Sequence, residues 1–234
     1  MQIAWFITVH NPNDATLRAS AEDLTRFCEI VRRTPRLARA VVFTPEQARD
    51  PYLETTLPPQ LGAELYFDDI AALEAAAAVR GHLQRLAAPD ALPSLAGAAI
   101  RQQAMLARSV AVPDARLRTT PATPACSYLV GYQGPAEDLN AWLAHYLEHH
   151  TAIMTRFSGI REIEVCTRID ATGVLPWPRE ACILRNRVVF DSAAALDAAL
   201  ASPVRHAMRA DYAKFPPFGG AVFHYSMATH AIVA

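Results

Sequence analysis

The sequence is short of most features that announce a function. Its 234 residues include only 4 cysteines, Cys28, Cys126, Cys166 and Cys182, and no two are spaced as CxxC. That excludes a zinc ribbon or a dithiol redox motif, and leaves buried, reduced thiols of a cytoplasmic protein as the expectation. A basic excess is missing: 22 Lys+Arg stand against 23 Asp+Glu, a formal net charge of −1. A nucleic acid is therefore not an expected partner. No uncharged apolar run approaches the ~18 residues of a membrane helix. The opening MQIAWFITVHNP lacks a basic n-region and a small-residue cleavage site, so neither a signal peptide nor a membrane partner is expected. Glycine is scarce at 9 residues, and Gly219-Gly220 precedes a strand, whereas a nucleotide fingerprint opens a helix. No cofactor is expected. Disorder is excluded too, because a chain 52% hydrophobic and 19% charged can bury a core.

What the sequence does contain is an internal echo. Phe67-Asp68-Asp69-Ile70-Ala71-Ala72-Leu73-Glu74 reads like Phe190-Asp191-Ser192-Ala193-Ala194-Ala195-Leu196-Asp197, at an offset of 123 positions. The same offset of 123 carries Trp5 onto Tyr128, Leu37 onto Ile160, Thr44 onto Thr167 and Gly97 onto Gly220. One offset holding in separate segments predicts two divergent copies of one unit. The copies are placed at 1–111 and 125–234, joined by a Pro- and Thr-rich extended linker at 112–124.

Each copy reads as βαββαβ. In the second, strands are expected at 126–133, 160–169, 181–190 and 221–227. A helix led by Pro135 runs to about Phe157 and is stopped by Ser158-Gly159. Asp191 or Ser192 caps a second helix, which breaks near Pro203. This is the ferredoxin-like unit, whose helices cover one sheet face only. The fold class expected is therefore α+β, with two tandem ferredoxin-like units closing face to face into an eight-stranded barrel, helices outside.

The second copy carries Trp142-x3-Tyr146-x3-His150, then Gly159, then Val189-Phe190-Asp191-Ser192, then Phe218-Gly219-Gly220. This resembles the EthD family, named for ethyl tert-butyl ether degradation, within the dimeric α/β-barrel superfamily. The resemblance implies a barrel of two ferredoxin-like units. It makes His150, Gly159 and Phe190-Asp191 the matching marks, and covers about 124–230. The first copy departs from it: Phe27, Val31 and Pro35 stand where Trp142, Tyr146 and His150 do. One site is expected, not two.

Helical periodicity places Trp142, Tyr146, His150 and Phe157 on one buried stripe. On a regular helix His145 and Glu148 then point away and His149 lies at the edge. The literal HxxEH of His145–His149 is accordingly read as a polar face, and no metal is expected. His150 suits acid–base work, since an unperturbed imidazole titrates at ~6.5. His224 is its candidate catalytic partner. Trp142, Tyr146, His10, Arg101, Gln103 and Ser226 are candidate substrate-binding residues. His10, Arg101, Gln103, His224 and Ser226 are expected to look into the barrel, because the helix-packed face should be the more apolar.

The expected ligand is a small apolar organic molecule held in the barrel or at its mouth. For a family of this type, the resemblance implies a cofactor-free lyase, isomerase, cyclase or oxygenase step. A non-enzymatic accessory or ligand-binding protein with a packed barrel is the alternative, and haem binding would need a histidine open to a large pocket. The pseudo-dimeric chain leaves room for a homo-oligomer.

Overall fold

In both halves of the chain strand, helix, strand, strand, helix and strand follow one another. The computed structural model describes residues 2–14, 16–53, 57–120 and 123–233. Pro121 and Ala122 of the expected linker lie outside the described residues. The first half comprises β1 (Gln2–His10), α1 (Ala21–Arg32), β2 (Arg39–Pro45), β3 (Leu61–Phe67), α2 (Ile70–Ala77) and β4 (Ala99–Val110). The second comprises β5 (Ala125–Gln133), α3 (Leu139–His145), a π-helical turn (Tyr146–His150), α4 (Thr151–Met154), β6 (Ile160–Arg168), β7 (Cys182–Phe190), α5 (Ala193–Leu200), α6 (Pro203–Tyr212) and β8 (Ala221–Val233).

Local chemistry sets the helix ends. Ser20, Asp138 and Ser192 each accept a hydrogen bond from the amide three residues on. Asp138 is thus the N-cap and the helix starts at Leu139. Pro135 lies ahead of it in a cis Gly134–Pro135 bond rather than at the first helical position. Gly159, at φ +77°, ends the turn after α4, a backbone angle that disfavours any side chain.

Among the described residues eight strands close an antiparallel barrel in the order β1-β3-β2-β8-β5-β7-β6-β4. Closure depends on two long strands. β4 pairs with β1 from His10↔Ala99 to Gln2↔Ala107, then continues against β6 from Met105↔Arg168 to Val110↔Ile163. β8 pairs with β5 as far as Ala125↔Thr229 and with β2 from Pro45↔Met227 to Arg39↔Val233. It therefore runs well past Met227, where the sequence pattern placed its end. Among the described residues, no helix is long and apolar enough to cross a membrane.

Alternation along the strands creates three cores. Trp5, Ile7, Val9, Phe27, Val31 and Leu73 fill the layer between the first-half sheet and its helices. Tyr128, Tyr132, Trp142, Tyr146 and Leu196 occupy the equivalent layer of the second half. Phe6, Phe43, Tyr66, Met105 and Met227 lie inside the barrel.

The interior is also charged. Arg187, its side chain 2% exposed, lies 2.8 Å from Glu64, 2.7 Å from Glu162 and 3.8 Å from Glu164. The Tyr66 hydroxyl is 2.5 Å from Glu64 and 2.6 Å from Glu164. It has one proton to donate between two carboxylates. Burial, opposed by Arg187, holds the Glu64 carboxyl up at about 6. Arg39 covers the Tyr66 ring at 3.5 Å and reaches Glu164 at 3.2 Å.

This register corrects one expectation. Trp5 lies opposite Ala104, and Tyr128 lies opposite Ser226. If Trp5 and Tyr128 correspond at 123 positions, the last strands correspond at 122. A one-residue difference turns every side chain to the other face. His10, Arg101 and Gln103 do face the barrel interior, but His224 and Ser226 face the helices, and Phe223 and Tyr225 point inward.

Removing Arg187 would leave Glu64 buried without its cation, and Glu164 with Arg39 alone. Arg187→Ala is expected to lower stability by about 3–5 kcal/mol in urea unfolding. A loss below about 1 kcal/mol would show that the network contributes little.

Candidate active site

A cavity of about 230 Å³ lies outside the barrel, between the second-half sheet and α4, α5 and α6. Val130, Met154, Phe157, Val188, Leu196 and Leu200 form its apolar walls. Tyr128, Tyr132, His150, Asn186, Arg205 and His224 supply polar groups. This cavity lies beside the barrel, whereas the sequence pattern placed the ligand in the barrel or at its mouth. The first-half layer holds Trp5, Ile7, Val9 and Ala63 where the second holds Tyr128, Val130, Tyr132 and Asn186, and it is packed with apolar side chains.

The π-turn organises the cavity's base. Its signature is the Thr151 amide, which donates to the Tyr146 carbonyl five residues back. On a regular helix, residues five apart differ by about 140° around the axis. A π-turn brings them close to one face. His145 and His150 consequently meet the same carboxylate. His150 Nδ1–H donates to Asp211 Oδ2 at 2.7 Å, and His145 Nε2–H donates to Oδ1 at 3.2 Å. His145 therefore does not point away, as a regular helix would require. Glu148 and His149 are exposed. Among the described residues, no group of three or more His, Cys, Asp or Glu could hold a metal ion.

Asp211 fixes the tautomer of His150, since an Nδ1–H leaves the Nε2 lone pair unprotonated. Nε2 makes no hydrogen bond among the described residues. Burial lowers the His150 pKa below its ordinary value, and the Asp211 hydrogen bond opposes this only in part. The imidazole is neutral at pH 7, as a base requires.

Beside it, Asn186 donates to the Tyr146 hydroxyl. Tyr146 in turn donates to Tyr132. The Tyr132 hydroxyl is then both polarised and at the cavity wall. On another wall Asp50, from the loop between β2 and β3, accepts from Tyr128 at 2.8 Å and from Arg205 Nε at 2.9 Å. The first half of the chain thereby helps to close a cavity in the second. His224 lies near Tyr128, ring centroids 5.6 Å apart, and burial pushes it down to about 4.

Of the residues singled out from sequence, His150 and His224 line this cavity. Trp142 and Tyr146 are fully buried behind it, stacked at 5.5 Å. Ser226 is buried on the same sheet face but lines no part of it. His10 and Arg101 line a different cavity, inside the barrel, and Gln103 donates to the Cys182 carbonyl at 2.7 Å. Asp211, Arg205, Tyr132, Asn186 and Asp50 were missed. Asp211 could have been found: it lies among Met208, Tyr212 and Phe215, an acidic residue on the helix's apolar stripe.

His224 generates a stability prediction. Its folded pKa of about 4 lies below the unfolded value of 6.5, so the unfolded chain binds more protons between these limits. Stability is then complete above pH 6.5 and falls as pH drops toward 4, by up to about 3 kcal/mol from this residue. Urea titrations of His224→Gln should show a correspondingly flatter dependence. An unchanged slope would place the proton uptake elsewhere.

No family model matches the chain, and no curated protein matches it. Solved structures share its fold. An anthrone oxidase-like protein aligns at 13% identity and TM-score 0.61, over 98% of this chain and 93% of that one. A provisionally assigned monooxygenase from Fusobacterium nucleatum aligns at 9% identity and TM-score 0.55, over 99% and 93%. A chlorite dismutase from Candidatus Nitrospira defluvii aligns at 10% identity and TM-score 0.50, over 97% and 90%. An ethyl tert-butyl ether degradation family protein from Bacillus halodurans covers 42% of this chain at TM-score 0.33, too slight a likeness to carry an argument. At these identities the likeness is one of fold: an eight-stranded antiparallel barrel with helices outside, shared with these structures.

Proposed function

We propose that this is a cytoplasmic protein that binds a small, largely apolar organic molecule beside His150 and abstracts a proton from it without a cofactor. The observation that carries the proposal is the neutral, Asp211-oriented imidazole, its Nε2 unbonded, at the wall of an apolar cavity. The proposal adds that the chain is a tandem pair of EthD-like, ferredoxin-like units, 1–111 and 125–234, of which only the second kept a site. The repeated element order and the polar-to-apolar replacements in the first half support that history.

The chemistry follows from the parts. A planar carbonyl compound with an acidic C–H would enter the cavity. His150 Nε2 takes the proton: the C–H bond breaks, an N–H bond forms, and the electron pair moves onto the carbonyl oxygen. Asp211 stabilises the imidazolium that results. The Tyr132 O–H, polarised by Tyr146 and Asn186, is the donor best placed to meet the developing oxyanion. Return of the proton to another carbon would complete an isomerase step. Haem does not fit, because a cavity of about 230 Å³ is too small to enclose its macrocycle.

The solved structures with this fold include an anthrone oxidase-like protein. Anthrone, planar and apolar with an acidic methylene, is therefore the probe of choice. Hydrogen–deuterium exchange at that methylene, followed by NMR without oxygen, reads the proton abstraction alone. The native protein is expected to accelerate exchange, with a rate that rises through a pKa below 6.5 and then levels off. His150→Ala should slow exchange about 10²–10⁴-fold. Asp211→Asn should slow it less and move the inflection to lower pH, because Asp211 raises the His150 pKa. Exchange unaffected by His150→Ala would refute the proposal. Binding without exchange would favour the non-enzymatic ligand-binding alternative.

A further inference from the structure

We propose a second ligand site, inside the mouth of the barrel, that takes a small aromatic carboxylate. A cavity of about 270 Å³ opens there. It shares no lining residue with the His150 cavity. The sheet separates them: along β5 and β8, Tyr132 and His224 face one cavity while Gln133, Phe223 and Tyr225 face the other.

Arg185 is the anchor. Its side chain is 10% exposed, and its guanidinium lies 4.7 Å from the centroid of Phe6 and 5.4 Å from that of Phe223. It pairs with Glu180 through Nη2, yet its Nε is buried with no partner. A guanidinium has five donor hydrogens in a planar fork, and one carboxylate does not use them all.

Charge points the same way. Arg101 stands at the rim, exposed, and forms no ion pair among the described residues. Glu64 also lines the cavity, but Arg187 and Tyr66 already hold its carboxylate. Two guanidinium groups therefore face one carboxylate that no other cation holds, that of Glu180, while Glu64 acts on Arg185 from its pairing with Arg187. A monoanion supplies the partner that the second guanidinium lacks. A carboxylate matches the fork in shape, and charge-assisted bonds of this kind are the strong ones.

The rest of the ligand is set by the walls. Phe6, Phe43, Phe223 and Tyr225 line the cavity with aromatic rings. Phe223 lies across Gly131, where a β-carbon would come within 2.0 Å of its ring. His10 Nε2, buried without a partner, adds a polar group at the same place. A flat aromatic body with one carboxylate fits this combination, and a phosphate does not.

Benzoate and its neutral counterpart benzamide test the inference by isothermal titration calorimetry of the full chain. Benzoate is expected to bind one per chain, at least about tenfold tighter than benzamide. Arg185→Gln and Arg101→Gln should each weaken benzoate about tenfold or more, whereas Arg209→Gln, at the other cavity, should not. Where Arg185→Gln fails to fold, the exposed Arg101 decides. Equal affinities for the two probes, no benzoate binding, or loss with Arg209→Gln but not with Arg101→Gln would each overturn the inference.

Discussion

A four-stranded sheet with helices on one side leaves its other face in water, and every later feature follows from how this chain buries that face. The long β4 and β8 run from their own half onto the other and close the barrel. Closure divides the molecule into two helix–sheet layers and an interior. The layers are then free to differ. One is packed with aliphatic and aromatic side chains, and the other keeps an unfilled volume lined by tyrosines, histidines and two arginines.

The interior settles a different problem. Enclosed by strands on all sides, it holds Arg187 among three glutamates and Tyr66. Such a cluster is stable only while every member keeps its partners. It fills part of the interior with charge and leaves open space at the mouth, where Arg185 is only partly paired. The barrel is therefore neither an empty ligand channel nor a fully packed core.

Much of this was legible in the sequence. The strand order within each half, the cap at Ser192, the helix stop at Gly159 and the break at Pro203 follow from turn chemistry and periodicity. So does the burial of His150. Face assignment was harder. The offset that aligns Trp5 with Tyr128 is one residue too long for the last strand, and His224 and Ser226 turn outward as a result. The π-turn was not legible either, because nothing in Tyr146–His150 marks an i→i+5 bond. That bond is what turns His145 from a solvent-side residue into a second donor to Asp211. Asp211 and Asp50 act across 61 and 78 residues of chain, respectively, and such contacts are fixed by the tertiary fold, not by local pattern.

The proposed chemistry turns on the state of one ring, that of His150. If Asp211 orients His150, long-range ¹⁵N–¹H NMR of the histidine side chains at pH 7 should show His150 neutral, with its proton on Nδ1 and Nε2 bare. An imidazolium signal, or a neutral ring carrying its proton on Nε2, would contradict it.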